Sequence, residues 1–217
     1  FHDAGHILGS SLCNLETKNF SLLYTGDFKV KETALHSGCD LSLKPDIVIT
    51  ESTYGDREQV PRKKTEKDFI ESIKRVIESN GLVVVPAFAV GRSQEILSTL
   101  YDYDIDAPVY LDGMGKKVAN IYLENKNLLR DTKSFRKAMQ KSIWVTNKKL
   151  RKEAMQKGHI VVTTAGMLQG GPAHFYIKEI YDDPNSAIFL TGYQVEDTPG
   201  RKLLETGRIS IDGEELR

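Results

Sequence analysis

Cysteine is scarce in this chain of 217 residues, where only Cys13 and Cys39 occur. Two thiols are too few for a disulfide scaffold and fit a reducing, cytoplasmic setting in which both serve as buried structural residues. Long apolar runs are missing too: none reaches the roughly 18 residues that a membrane span needs, and no signal peptide is visible. No charge of one sign prevails, because 30 basic residues face 30 acidic ones, which argues against indiscriminate nucleic-acid binding. Internal repeats and low-complexity segments are absent. An initiator Met is lacking as well, and the chain opens on Phe1 in the middle of a motif, so it reads as a piece of an active site. What remains, 40% hydrophobic and 28% charged residues, is the composition of an ordinary soluble protein with room for one large or two small domains.

The charge that is present is segregated. From Asp112 to Lys157, thirteen Lys or Arg stand against Asp112, Glu124, Asp131 and Glu153. That local excess could attract a polyanion or could simply solvate helix faces.

Short apolar runs closed by turn signals predict buried strands at Leu22–Tyr24 and Asp46–Thr50. A polar stretch from Asp56 to Lys64, broken by Pro61, reads as a crossing between domains. Thr65 can cap a helix carrying Phe69, Ile70, Ile73, Val76 and Ile77 at helical spacing, with Asn80-Gly81 ending it. Leu82–Pro86 then predicts a buried strand, Ala87–Arg92 a loop and Ser93–Leu100 a second helix. Further strands are expected at Pro108–Leu111, His159–Thr163 and Ser186–Leu190. Strands alternating with helices imply a mostly parallel sheet flanked by helices on both faces.

Three segments place a metal-competent or acid/base side chain beside a glycine-containing loop: His6 in Ala4-Gly5-His6-Ile7-Leu8-Gly9-Ser10, Asp27 in Thr25-Gly26-Asp27, and Glu51 in Glu51-Ser52-Thr53-Tyr54-Gly55. Each alone has an ordinary reading as a surface His, a turn or capping Asp, or a capping Glu. Together, with apolar strands before the latter two, they can converge at one rim of a sheet in the manner of a hydrolytic metal site. Gly170-Gly171-Pro172 precedes an expected helix, whose N-terminus and backbone N–H groups can face a phosphate or simply start a helix on Pro. His174, beside Phe175 and Tyr176, could stack on or bond a base or merely pack. Arg92, after a glycine loop, could meet a phosphate or a structural acidic partner.

The wording of these segments resembles the β-CASP branch of the metallo-β-lactamase fold, specifically its ribonucleases. Pro86-Ala87-Phe88-Ala89-Val90-Gly91-Arg92-Ser93-Gln94-Glu95, the run Thr164–Pro172 and Thr191-Gly192-Tyr193-Gln194-Val195-Glu196 also match that family, so the resemblance extends over essentially the whole chain. It implies part of a metallo-β-lactamase αβ/βα sandwich in residues 1–55, a β-CASP domain in 56–190 and the start of the return to the first domain in 191–217. It implies zinc-dependent hydrolysis of single-stranded RNA in 3′-end processing or decay, with two zinc ions as cofactors and a homodimer or RNA-processing complex as the assembly. His6 would ligate one zinc and Asp27 would bridge the pair, which activates a water for in-line attack on phosphorus. Glu51 would hold a downstream histidine that protonates the leaving oxygen. Gly170, Gly171, His174 and Arg92 would contact substrate. The family's upstream His-x-His-x-Asp-His cluster and two later histidines have no counterpart here, so these residues alone should hold zinc poorly and cleave little. A non-catalytic scaffold subunit, a DNA-directed β-CASP nuclease and a small-molecule hydrolase are the alternatives. Glu51 with its Ser-Thr-Tyr-Gly sequel disfavours the second and the long insertion after Gly55 the third.

Overall fold

The computed structural model describes residues 1–216; Arg217, the last residue of the expected return segment, lies outside the described residues. Two sheets organise the chain. The first comprises β1 (His2–Asp3), β2 (Ser11–Glu16), β3 (Ser21–Tyr24) and β4 (Ile47–Ile49), in that spatial order. Its pairings are antiparallel except for β3 with β4, which run parallel with Leu23 opposite Val48. Ala4, Leu12 and Leu23 form a small core beneath it.

The second sheet has five parallel strands in the order β7 (Ile143–Trp144), β6 (Val109–Asp112), β8 (Ile160–Thr163), β5 (Val83–Pro86) and β9 (Ala187–Ile188). Strands β5 and β8 at its centre are fully buried, with Val or Ile at six of their eight positions, as expected of parallel strands covered on both faces. One face carries α1 (Arg62–Glu78), α2 (Arg92–Asp102), α3 (Gly115–Glu124) and α4 (Thr132–Lys141), whose Ile73, Leu97, Leu100, Ala119, Phe135 and Ala138 join Val83, Val85 and Leu111 in the main core. The other face packs α5 (Lys148–Ala154) and α6 (Pro172–Ile180) against Val84, Tyr110 and Val161. After α7 (Pro199–Thr206), a hairpin of β10 (Ile209–Ile211) and β11 (Glu214–Leu216) buries Ile209, Ile211 and Leu216 against Leu168 and Ile177.

This is the expected α/β architecture, with differences in detail. Helix α1 begins at Arg62 behind Pro61, so Thr65 lies inside its first turn rather than capping it. Pro61 is the N-cap, and its carbonyl accepts the N–H groups of Lys64 and Thr65 at 3.0 and 3.1 Å, so the helix starts inside the expected polar crossing. The Asp46–Thr50 strand is real but not buried: Ile47, Val48 and Ile49 are 47%, 52% and 50% exposed. It is the sheet's edge strand among the described residues.

Candidate active site

Strand β1 ends at Asp3, whose carboxylate accepts the Gly5 N–H at 2.8 Å. Gly5 then turns in the left-handed region at φ +65°, where a Cβ would lie 2.4 Å from the Gly38 carbonyl carbon. Beyond it the Ser10 Oγ accepts the N–H groups of His6 and Ile7, each at 3.2 Å, and donates to the Ile7 carbonyl at 2.8 Å. The backbone around His6 is therefore fixed while its ring stays free. Asp27 and Glu51 follow the parallel neighbours β3 and β4, which end at the same rim because Tyr24 pairs with Ile49. The Thr25 N–H donates to the Ile49 carbonyl at 3.0 Å and closes that rim.

The structure brings His6 and Asp27 together, with Nε2 4.0 Å from Oδ2 and the side chains 42% and 75% exposed. Glu51 Oε2 accepts the Thr53 N–H at 2.8 Å. That hydrogen bond first, then the Thr53 side chain and the charge of a protonated His6, hold the Glu51 carboxyl below its ordinary pKa against an opposing effect of burial. Glu51 is thus an anion turned towards its own loop.

The helical side of the molecule abuts this rim. Gly91, at φ +76°, approaches the His6 loop so closely that a Cβ would sit 2.7 Å from Ile7 Cγ2. The Leu8 N–H donates to the Tyr122 hydroxyl of α3 at 3.1 Å. Glu95 of α2 is buried, pairs with Arg62 of α1 and accepts the Ala34 N–H at 2.9 Å. Arg92, the first residue of α2, is exposed and holds no carboxylate among the described residues. Beside it Lys29 is half-buried, and burial first, then Arg92 and Arg62, lower its pKa against the pull of Glu95.

Gly170 and Gly171 lie immediately before α6. Gly171, at φ +74°, leaves no room for a Cβ, which would meet the Thr164 carbonyl oxygen at 2.8 Å, whereas Gly170 faces open space. The His174 ring nitrogen Nε2 lies 2.7 Å from the Leu168 carbonyl, so the ring pins the loop that carries these glycines.

Sequence reasoning missed Asp112. It ends β6, is wholly buried, and accepts Arg151 Nε at 2.6 Å, Tyr176 Oη at 2.9 Å and the Gly113 N–H at 2.7 Å, with Lys116 Nζ at 3.3 Å. Burial alone would raise its pKa, but Arg151, Tyr176 and the Gly113 N–H outweigh burial and hold the carboxyl below its ordinary range. The signal was an Asp closing an apolar strand, which must find partners on burial. His36 is also buried, its ring edge-on to Tyr122 and its Nε2 without a partner among the described residues. His2 instead bonds Asp40 at 2.9 Å.

Among the described residues no group of three or more His, Cys, Asp or Glu could hold a metal ion. His6 and Asp27 nevertheless suit one: an imidazole nitrogen and a carboxylate oxygen face each other, open to solvent, and neither is engaged in a hydrogen bond among the described residues. They are two donors where tetrahedral zinc takes four.

A parallel sheet wrapped by helices, abutting a strand-end rim where His6 meets Asp27 and the neighbouring strand ends at Glu51, defines an α/β protein with a seam between its two sheets. Comparison with known proteins makes the assignment specific. The Beta-Casp domain model matches residues 93–203, about half the chain, and the chain belongs to that family. It is 45% identical over 222 residues to the protein named Probable RNase MJ4 of Methanocaldococcus jannaschii, covering 99% of this chain and 52% of that protein. It is 38% identical to RNase aCSPSF2 of Saccharolobus solfataricus, covering 96% of this chain and 43% of that protein. It is 35% identical to the transcription termination factor FttA of Pyrococcus abyssi, covering 100% of this chain and 36% of that protein. The chain spans about half the length of these relatives, or less.

Proposed function

We propose that this chain forms the β-CASP cap and part of the catalytic rim of a zinc-dependent ribonuclease acting on single-stranded RNA in 3′-end processing or decay. In this reading residues 1–55 belong to the metallo-β-lactamase domain, 56–190 to the β-CASP domain, and 191–217 begin the return. The observation that carries it is the meeting of His6 and Asp27 at 4.0 Å on a rim held against the β-CASP helices by Gly91 and Tyr122. Relatives bearing the name RNase support RNA as the substrate class.

A bound zinc pair would supply an activated water and charge for attack on phosphorus. His6 and Asp27 would help to hold the metal, the remaining donors coming from elsewhere in the whole protein. Glu51, kept anionic by the Thr53 N–H, would orient a protonated histidine towards the leaving oxygen. Gly170 and Gly171 would offer backbone N–H groups to phosphate at the start of α6. Arg92, free of any carboxylate among the described residues, would add a cation on the opposite side of the seam. His174 would act by holding the glycine loop through Leu168.

The full-length protein, given labelled single-stranded RNA and DNA of one sequence with zinc, tests this reading. The expected result is cleavage of RNA in clear preference to DNA, abolished in His6→Ala. Preferential cleavage of DNA, or zinc-loaded protein that cleaves neither, would overturn it.

A further inference from the structure

The basic stretch between Asp112 and Lys157 is not used by the site described above. Of its thirteen cations, Lys116, Arg130, Lys141, Arg151 and Lys157 hold carboxylates. The other eight have no carboxylate partner among the described residues, and all eight are exposed. Ion pairing therefore does not account for most of this charge.

Part of it surrounds a cavity of about 310 Å³ lined by Leu123, Lys126, Arg136, Met139, Gln140 and Trp144. The residues come from α3, the 3-10 turn Lys126–Leu128, α4 and the edge strand β7. Trp144 is the chain's single tryptophan. Trp144 is half-buried, packs on the main core and also lines the cavity. Its Nε1 donates to Ser142 Oγ at 3.0 Å, and that hydroxyl donates to the Met139 carbonyl at 2.9 Å. The ring is thus oriented before anything binds, with two exposed cations and an exposed amide around it.

We infer that this groove is a second binding site for single-stranded RNA, in which one base stacks on Trp144 while Lys126 and Arg136 take the adjoining phosphates. Aromatic stacking with cations along the backbone is how single strands are held without sequence preference. Gln140 can bond a base edge. An acidic peptide would use the cations but would leave the aromatic ring without a matching face. Helix α3 turns Tyr122 to the His6 loop and Leu123 to the groove, so one helix joins the second site to the rim. The inference rests on the reading of the chain as part of an RNA-acting protein.

The test is fluorescence of the full-length protein titrated with oligouridylate in EDTA, so that no substrate is consumed. The difference from Trp144→Phe isolates the signal of this ring. Quenching is expected. The Lys126→Gln/Arg136→Gln chain, altered only at exposed positions, should bind at least about fivefold more weakly. The slope of log affinity against log salt should fall by about 1.4, about 0.7 for each phosphate that is no longer neutralised. An unquenched Trp144, an affinity unchanged in the double variant, or equal quenching by oligoglutamate would each overturn the groove as an RNA site. A protein that still cleaves RNA in those cases leaves the ribonuclease reading standing, whereas one that neither binds nor cleaves RNA overturns both.

Discussion

Single residues carry the seam between the two sheets. Gly91 sits at φ +76° with Ile7 filling the space a Cβ would need, so Gly91→Ala combines backbone strain with a clash one residue from His6. A cost of about 1–3 kcal/mol is expected, read as a lowered melting temperature together with lost cleavage in the full-length protein. Asp112 is the other keystone. Replacing it with Ala strands the buried Tyr176 hydroxyl and the charge of Arg151. The expected loss is about 3 kcal/mol, at the low end for a buried pair because Arg151 still reaches water. Its folded pKa is depressed, so its stabilisation is complete above the unfolded value of about 3.9 and disappears as pH falls through the lower folded value. Thermal melts should therefore show the wild type's advantage over Asp112→Asn in full at about pH 6 and shrinking below about pH 4. The placement of His6, Asp27 and Glu51 at one rim was legible in the sequence because each follows a strand or borders a glycine turn. The Asp112 cluster was not, since its partners Lys116, Arg151 and Tyr176 lie on three different helices and meet only after folding.

Secondary-structure elements were readable where the apolar pattern was long. Strands β5 and β8 are runs of Val and Ile, and the periodicity of α1 and α2 is plain. Strand β7 escaped because two residues, Ile143 and Trp144, leave no pattern between a basic helix and a turn. The β10–β11 hairpin escaped because its alternation spans only three residues on each side, and its core neighbours are the distant Leu168 and Ile177. Strand β4 shows the converse failure: its apolar run suggested burial, yet all three side chains are about half exposed. An apolar edge strand is a surface for association. In this 217-residue chain, Ile47→Thr with Ile49→Thr should reduce self-association while changing stability by less than about 0.5 kcal/mol per site. Light scattering checks the first part and denaturant unfolding the second. Unaltered association would show that another surface is responsible.

At the scale of the molecule, a parallel sheet and its helices serve as a platform on which the His6 loop and the rim of the first sheet rest. Tyr122, Glu95 and Gly91 make that junction from α3, α2 and the loop before it. The fold class was legible because alternating strands and helices leave few arrangements, and the resemblance added where the chemistry would lie. The basic stretch from Asp112 to Lys157 was legible in the sequence despite the net charge of zero, but its groove was not, because only the arrangement of α3, α4 and β7 forms it. We propose that Asp27 helps to hold zinc in a whole protein that cleaves RNA. Zinc content and RNA cleavage of the full-length protein and its Asp27→Ala variant test it most directly. About two zinc ions per chain are expected in the wild type, with bound zinc reduced and cleavage abolished in the variant. Full zinc occupancy and undiminished cleavage in Asp27→Ala would contradict it.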